Sequence, residues 1–200
     1  MLALEPFGDT AVRARLPEGA PSRAILEALR ALAGVVDAIV TERHALVTFD
    51  PSAPPEGVAD AIERVLCAPE SAASTRTRAI AVRYDGADLD EVARLASMTR
   101  AEVIARHTQA AYVVAAIGFM PGFAYLRGLD PRLVLPRRAT PRPRVPAGAV
   151  AIAGPYAGVY PLASPGGWHL LGTAVGEALF NPRAGATLAL GDRVAFTESP

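Results

Sequence analysis

Apolar and polar positions alternate along the first 67 residues in a pattern that predicts a small α+β domain. Four apolar runs, bounded by polar or turn residues such as Gly8-Asp9, predict strands, at positions 2–7, 11–16, 35–40 and 45–49. Two segments with apolar residues three or four positions apart predict helices, one capped by Ser22 and one opened by Pro54 and Pro55. The predicted order is ββαββα, with both helices on one face of an antiparallel sheet.

The pattern breaks after residue 67. Residues 68–78 are small, polar and aperiodic, which predicts a linker between domains at 1–67 and 79–200. Beyond it, a strand is expected to resume at Ile80, followed by two short helices. The second helix has the capping-box pair Thr99 and Glu102, which satisfies two free helix N–H groups.

The residue composition of the chain changes again at Gly118. Nine of the 18 prolines lie between Pro121 and Pro165, so this segment cannot form long helices. Short β-type runs at 150–153, 158–161 and 193–196 alternate with turn residues. Such alternation is typical of an all-β barrel or sandwich with long loops.

Charge and residue usage narrow the range of functions. All 20 cationic residues are Arg, which excludes a Schiff-base lysine and a P-loop lysine. The formal net charge is zero, which favours neither nucleic acid nor a membrane as partner. We expect no membrane span and a cytoplasmic location, because no long apolar run or signal-peptide pattern is evident. The single Cys67 is expected to be buried in the second helix, and the histidines share no metal-ligand spacing, so no metal site is expected.

The first of three motif-rich segments runs from Gly118 to Leu126. Pro121-Gly122 is the signature of a type II turn, with Gly supplying the positive φ angle. The flanking aromatic residues Phe119, Phe123 and Tyr125 either form a rigid apolar wall of a cleft or pack inward as in an ordinary hairpin.

The second segment, residues 136–148, is a proline-stiffened loop that carries four arginines. A stiff backbone with guanidinium groups can hold a carboxylate or phosphate at little entropic cost, although a solvated loop is an equal alternative. Only Asp130 opposes the six arginines between residues 127 and 144, which favours an anionic small ligand or an acidic partner surface. We choose Arg138 and Arg142 as the anion contacts, with Arg137 and Arg144 as alternatives.

The third segment runs from Gly154 to Trp168. Backbone N–H groups around Gly166-Gly167, and around Pro121-Gly122, could cradle an anion. Tyr160 and Trp168 either wall the cleft or fill the core. No nucleophile is evident. His107 is a weak candidate for a general acid or base and more plausibly supports a helix C-terminus as a cation, and His169 is expected at the surface.

These segments together carry a family resemblance. Gly-Phe-x-Pro-Gly-Phe-x-Tyr-Leu, then Pro-Arg-x-x-x-Pro-Arg-x-x-Val-Pro-x-Gly, then Tyr-Pro-x-x-Ser-Pro-Gly-Gly-Trp resembles the allophanate hydrolase subunit 1 family, also called the carboxyltransferase domain C/D family. The resemblance covers nearly the whole chain and is nearest to the 5-oxoprolinase members of the family (PxpB). Two departures are Ala149, where members often have Ser, and the absence of an Arg immediately before Thr173.

The resemblance implies a ferredoxin-like N-terminal domain followed by a cyclophilin-like β-barrel. It also implies a role in the ATP-dependent opening of 5-oxoproline to L-glutamate, together with a homologous barrel-class subunit (PxpC-like) and a PxpA-like subunit. Because the chain has no P-loop, we expect the complex rather than this chain alone to bind ATP, and we expect the chain to be inactive alone.

Other functions stay open on the sequence alone. One is a non-catalytic module that inhibits a histidine kinase, as in the related KipI. Another is a component of urea or allophanate breakdown, and a third, suggested only by analogy between barrels, is prolyl isomerisation.

Overall fold

The computed structural model describes residues 2–68, 76–176 and 178–200. The chain divides into two compact units, Met1–Thr75 and Arg76–Pro200. Most of the predicted linker, residues 69–75, lies outside the described residues, so the boundary at 68–78 stays a prediction.

The first unit is a four-stranded antiparallel sheet with two helices. Its elements follow the predicted order ββαββα: β1 (Leu4–Pro6), β2 (Ala11–Arg15), α1 (Ser22–Arg30), β3 (Val35–Val40), β4 (His44–Phe49) and α2 (Val58–Cys67). The strand order across the sheet is β1-β2-β4-β3. The ferredoxin-like arrangement that the resemblance implies is not confirmed by this topology.

Successive side chains along these strands point to opposite faces of the sheet, and one of the two faces is buried. Ala38 and Val40 on β3 pair with Val47 and Ala45 on β4, and all four are buried. α1 packs against β3 and against α2. A period of two in the strands, combined with the apolar stripes of the helices, therefore accounts for the core of this unit.

Three local predictions in this unit were wrong. Ser22 is the first residue of α1 rather than its cap, and the N-cap position is occupied by Pro21, with no side-chain capping hydrogen bond.

The other two concern α2. α2 begins at Val58 after Gly57, which has φ of 72°, rather than at Pro54 and Pro55. A left-handed residue cannot lie inside a helix, so the chain before Gly57 stays non-helical. Cys67, the last residue of α2, is exposed rather than buried.

The second unit is built on a closed seven-stranded barrel. Its strands are β5 (Thr77–Arg83), β6 (Tyr112–Ile117), β7 (Ala124–Arg127), β9 (Ala149–Ala153), β10 (Tyr156–Val159), β12 (His169–Val175) and β15 (Arg193–Glu198). The strand order around the barrel is β10-β7-β6-β15-β5-β12-β9. Only the β5–β15 pair is parallel among the barrel pairings that the structure describes. The predicted barrel is confirmed, with strand β5 starting three residues before Ile80.

Two helices and two short ribbons complete this unit. α3 (Leu89–Leu95) packs against β12, and α4 (Arg100–Gln109) packs against β15. The predicted capping box of Thr99 and Glu102 is present at the start of α4. The ribbons pair β8 (Arg142–Val145) with β11 (Ser164–Gly166), and β13 (Phe180–Asn181) with β14 (Gly185–Ala186). Among the described helices, none is long and apolar enough to cross a membrane.

Candidate functional site

The three motif-rich segments meet around the ring of Tyr160. Phe123 contributes the central contact, with ring centroids 5.3 Å from Tyr160 and 5.4 Å from Trp168. Phe123, Tyr160 and Trp168 are all buried, in a core cluster separate from the barrel interior. These three residues were predicted to wall a cleft, but they fill the core, as hairpin aromatics that pack inward do. Tyr125, whose ring lies 5.1 Å from Phe123, is partly buried and lies at the margin of this cluster.

Phe119 is the aromatic residue of this group that faces solvent. It is 61% exposed, and its ring lies 5.5 Å from Phe123 and 6.5 Å from Tyr160. Its φ angle is 72°, a left-handed conformation that is strained for a bulky side chain. Strain of this kind clusters at binding and catalytic sites, which directs attention to this loop.

Pro121 and Gly122 form the predicted turn. The N–H of Phe123 donates to the carbonyl of Met120 at 3.1 Å, and Gly122 has φ of 79°. A Cβ atom at Gly122 would lie 2.8 Å from Cβ of Phe180, so the turn is packed against β13. Glycine is required here for its backbone angle and for this close approach.

Gly166 and Gly167 join the second and third segments. Gly166 pairs with Arg142 in the β8–β11 ribbon, and the carbonyl of Gly167 accepts the N–H of Arg138 at 2.9 Å. A Cβ atom at Gly166 would overlap the hydroxyl of Tyr160. The two glycines thus bring the arginine loop against the aromatic cluster.

Arg138 and Arg142 converge on one buried carboxylate, that of Asp88. Asp88 Oδ1 accepts from Arg138 Nη1 at 2.7 Å and from Arg142 Nη2 at 2.6 Å, while Oδ2 accepts the N–H of Leu170 at 2.7 Å. Asp88 is only 2% exposed. Arg138 also reaches the exposed Glu91 at 3.1 Å. The two predicted anion contacts are therefore held by the protein itself, at one edge of α3.

The electrostatics of Asp88 follow from these contacts. Burial alone would raise the pKa of this carboxyl, but the hydrogen bonds from Arg142 and Leu170 N–H, together with both guanidinium charges, leave the pKa below its usual value. The same hydrogen bond raises the pKa of Arg142. Both groups are thus fixed in their charged forms.

The remaining arginines of the loop, Arg137 and Arg144, are exposed. Burial raises the pKa of the Tyr160 hydroxyl, and the charges of Arg137 and Arg142 oppose that rise. Arg142 Nη1 and Arg138 Nε are buried and have no hydrogen-bond partner among the described residues. Asp88 therefore leaves one N–H group of each of these two guanidinium groups unsatisfied.

Sequence reasoning missed Asp88, which lies at least 50 residues before the arginines it binds. Asp88 occupies the N-cap position of α3, yet its side chain makes no capping hydrogen bond, because its carboxylate is directed to the arginines and Leu170. Gly86 lies against the backbone of Leu170 and Leu171 so closely that a Cβ atom would overlap it. The Asp-Gly-Ala-Asp sequence at 85–88 was the available signal, but by itself it predicts only a turn.

The two histidines of this unit differ from expectation. His107 is fully buried, 4.5 Å from the stacked ring of Phe196, and its Nδ1 lies 2.7 Å from the hydroxyl of Tyr84. Burial lowers its pKa to about 3, so it is neither a helix-terminal cation nor accessible for proton exchange with a ligand. His169 is buried rather than exposed, and its Nε2 donates to the carbonyl of Pro136 at 2.9 Å.

Two concave surfaces of this unit are lined by residues outside the Asp88 cluster. A groove of about 350 Å³ runs beside α4, where Arg106 pairs with Asp130 at 2.7 Å. A second cavity, of about 240 Å³, opens next to β5. In the part of the chain that the structure describes, no group of three or more His, Cys, Asp or Glu side chains could hold a metal ion.

Comparison with curated proteins gives two informative relatives, both named as the B component of 5-oxoprolinase. The chain is 44% identical to the Escherichia coli O157:H7 protein over 156 residues, which is 71% of this chain and 69% of that protein. It is 47% identical to the Bacillus subtilis (strain 168) protein over 113 residues, 56% of this chain. The match spans 47% of the length of the Bacillus protein.

Solved structures and a family model agree with these similarities. TTHA0988 is 40% identical with a TM-score of 0.80, over 95% of this chain and 40% of that one. PH0987 from Pyrococcus horikoshii is 30% identical with a TM-score of 0.59, over 98% and 97% of the two chains. Kluyveromyces lactis urea carboxylase shares the fold, with a TM-score of 0.72 at 18% identity. The match covers all of this chain and 22% of the urea carboxylase chain. The family model described as carboxyltransferase domain, subdomain C and D, matches residues 2–190, and the chain belongs to that family.

Proposed function

We propose that this chain is one subunit of an ATP-dependent 5-oxoprolinase, which opens 5-oxoproline to L-glutamate. The identity to two proteins named as the B component of that enzyme supports this assignment. The geometric observation that carries the proposal is the arginine pair held by Asp88, in a loop that also carries the exposed Arg137. This arrangement suits a small ligand with one carboxylate.

The proposed substrate requires activation, because it is a lactam and its amide bond resists hydrolysis. Transfer of the terminal phosphoryl group of ATP to the lactam oxygen would release ADP and create a better electrophile. Water then adds to that carbon, the C–N bond breaks and the nitrogen gains a proton, which leaves an acyl phosphate of glutamate. A second water hydrolyses this acyl phosphate to the free carboxylate and inorganic phosphate. The products are glutamate, ADP and phosphate.

The role proposed for this chain is to bind and orient the carboxylate. Asp88 fixes the guanidinium groups of Arg138 and Arg142, so little side-chain entropy is lost when a ligand binds. Arg142 is the better candidate of the two, because Arg138 has Glu91 as a second acidic partner. Arg137 becomes a further candidate, since it is exposed.

ATP binding and turnover are assigned to the complex rather than to this chain. No P-loop sequence is present in the chain. The proposed partners are a homologous barrel-class subunit (PxpC-like) and a PxpA-like subunit. The matched region is only 40% of TTHA0988, which supports the idea that this domain works beside further protein segments.

Phe119 favours a second candidate function, an interaction module such as a kinase inhibitor. A strained aromatic residue that is 61% exposed fits an anchor for a protein partner. Co-purification separates the two functions: a 5-oxoprolinase subunit retains its barrel-class partner, whereas an inhibitor retains a kinase domain.

The enzymatic role of the arginines is tested by kinetics in the reconstituted three-subunit complex. Losing one charged hydrogen bond costs about 1.5–3 kcal/mol, so Arg137→Gln and Arg142→Gln should each raise KM for 5-oxoproline roughly 10- to 100-fold. Arg94→Gln, at an exposed position on α3, is the charge-matched control and should leave KM unchanged. Unchanged KM and kcat in both loop variants would refute the proposed carboxylate contact.

A further inference from the structure

A second cavity lies at one mouth of the barrel, and none of its described lining residues belongs to the three motif-rich segments. Its volume is about 240 Å³, and six of the eight described residues that line it have apolar side chains, the others being Arg78 and Thr187. The lining residues that matter here are Arg78, Ile80, Ala174, Leu179 and Leu188. Mouths of β-barrels are common places for small ligands, and this volume lies below the roughly 300–1,000 Å³ typical of drug-sized ligands.

Arg78 occupies an inward-facing position of β5. Side chains alternate along a strand, and Ile80, two residues later, belongs to the barrel core. The register agrees, because Arg78 pairs with Val194 and Ile80 pairs with Phe196, and both partners are core residues. Arg78 is therefore the first inward-facing side chain of β5, at the end of the barrel where this strand begins.

The guanidinium of Arg78 is not fully satisfied within the part of the chain that the structure describes. Its Nε is buried and has no hydrogen-bond partner among the described residues. Arg78 is also the only charged residue among the described residues that line the cavity. An unpaired charge next to apolar groups is costly, and a bound anion would remove that cost.

We propose that this barrel mouth binds a compact monocarboxylate anion. The carboxylate pairs with Arg78, and the apolar body of the ligand packs against Ile80, Leu179 and Leu188. One guanidinium matches a single negative charge, whereas a dianionic phosphate would need a second cationic group, and Arg78 is the one cationic residue among the described residues of the lining. The inference goes beyond the proposed function, because it concerns binding by this chain alone at a separate place.

The test is a titration of the purified full chain with cyclopentanecarboxylate, followed by NMR of backbone amides. We expect saturable shifts at amides of β5 and β12 with the carboxylate. Cyclopentanecarboxamide, which has the same shape without the charge, should bind at least tenfold more weakly. Arg78→Met should weaken carboxylate binding by at least tenfold, while the exposed control Arg94→Met should bind as the wild type does.

Ala174→Leu provides a variant that keeps the charge and fills the cavity. Ala174 pairs with Val82, an inward-facing core residue, so the added carbons would enter the mouth. Loss of binding in this variant supports the site even if Arg78→Met does not fold. The proposal is overturned if the wild type shows no saturable binding, if the carboxamide binds equally well, or if Ala174→Leu retains full affinity. These outcomes are independent of the 5-oxoprolinase assay, which uses the assembled complex and different arginines.

Discussion

Replacing Asp88 by Asn tests how the arginine loop is held. The substitution preserves shape but removes the charge that Arg138 and Arg142 share at 2.7 and 2.6 Å. It also replaces one carboxylate oxygen by an NH₂ group, which cannot accept a hydrogen bond. One of the three bonds to this side chain must therefore be lost, and the two remaining cations repel each other.

The structure sets the size of the effect. Removing one member of a buried ion pair costs about 3–5 kcal/mol. The side chains of Arg138 and Arg142 retain 26% and 23% exposure, so water screens part of this loss. We expect the free energy of unfolding to fall by about 2–4 kcal/mol, and Tm by roughly 6–15 °C.

The assay is urea denaturation of the full chain at neutral pH, with Asp90→Asn as matched control. Asp90 lies two residues later in sequence, and its side chain is 77% exposed in an ion pair with Arg100, so its loss should cost at most about 1 kcal/mol. Equal stability of the two variants would refute the idea that Asp88 holds the loop.

The pH dependence provides an independent check on the same residue. The folded-state pKa of Asp88 is lowered, so its stabilisation is complete above the unfolded-state value of about 3.9 and is lost as pH falls through the folded pKa. Asp88→Asn should therefore differ least from wild type at the acid end. A difference that grows as the pH falls would contradict this account.

Three further predictions concern the packing of this unit. Thr99→Ala removes the capping box and should lower the free energy of unfolding by about 1 kcal/mol in urea denaturation, whereas the exposed Thr140→Ala should not. Gly122→Ala should cost about 1–3 kcal/mol by the same measurement, because φ is 79° and Phe180 lies 2.8 Å from the new Cβ; Gly154→Ala, with open space, should cost less. His107 has a folded pKa of about 3 against 6.5 ordinarily, so NMR should show no titration of its ring between pH 5 and 8. The contribution of neutral His107 to the free energy of unfolding is complete above about pH 6.5 and is lost as the pH falls toward 3. His107→Phe should abolish that part of the acid sensitivity. An imidazole that titrates near 6.5 would contradict the burial of His107.

The sequence predicted a local structure correctly where a few neighbouring residues determine it. The capping box at Thr99 and the turn at Pro121-Gly122 follow from neighbouring residues alone, and both are confirmed. The start of α2 was missed because a proline favours the first helical turn only if the following backbone is helical. Gly57, with its left-handed φ angle, prevents that.

The features that the sequence did not reveal depend on contacts between residues far apart in the chain, which form only when the barrel closes. The sequence did not show that Asp88 opposes the arginine loop, because Asp88 lies at least 50 residues before Arg138 and Arg142 and meets them only in the folded unit. His169 is buried with its Nε2 bonded to the carbonyl of Pro136, and Trp168 is buried against Phe123 and Tyr125; no local pattern predicts these contacts. Burial of Phe123 likewise depends on Tyr160 and Trp168 arriving from another segment.

The central claim is that this chain is an obligatory part of a 5-oxoprolinase. The most direct test adds the purified chain back to its two proposed partner subunits and measures glutamate released from 5-oxoproline with ATP. We predict release and 5-oxoproline-dependent ATP hydrolysis only when all three are present, and none from this chain alone. Equal release without the chain, or turnover by the chain alone, would contradict the claim.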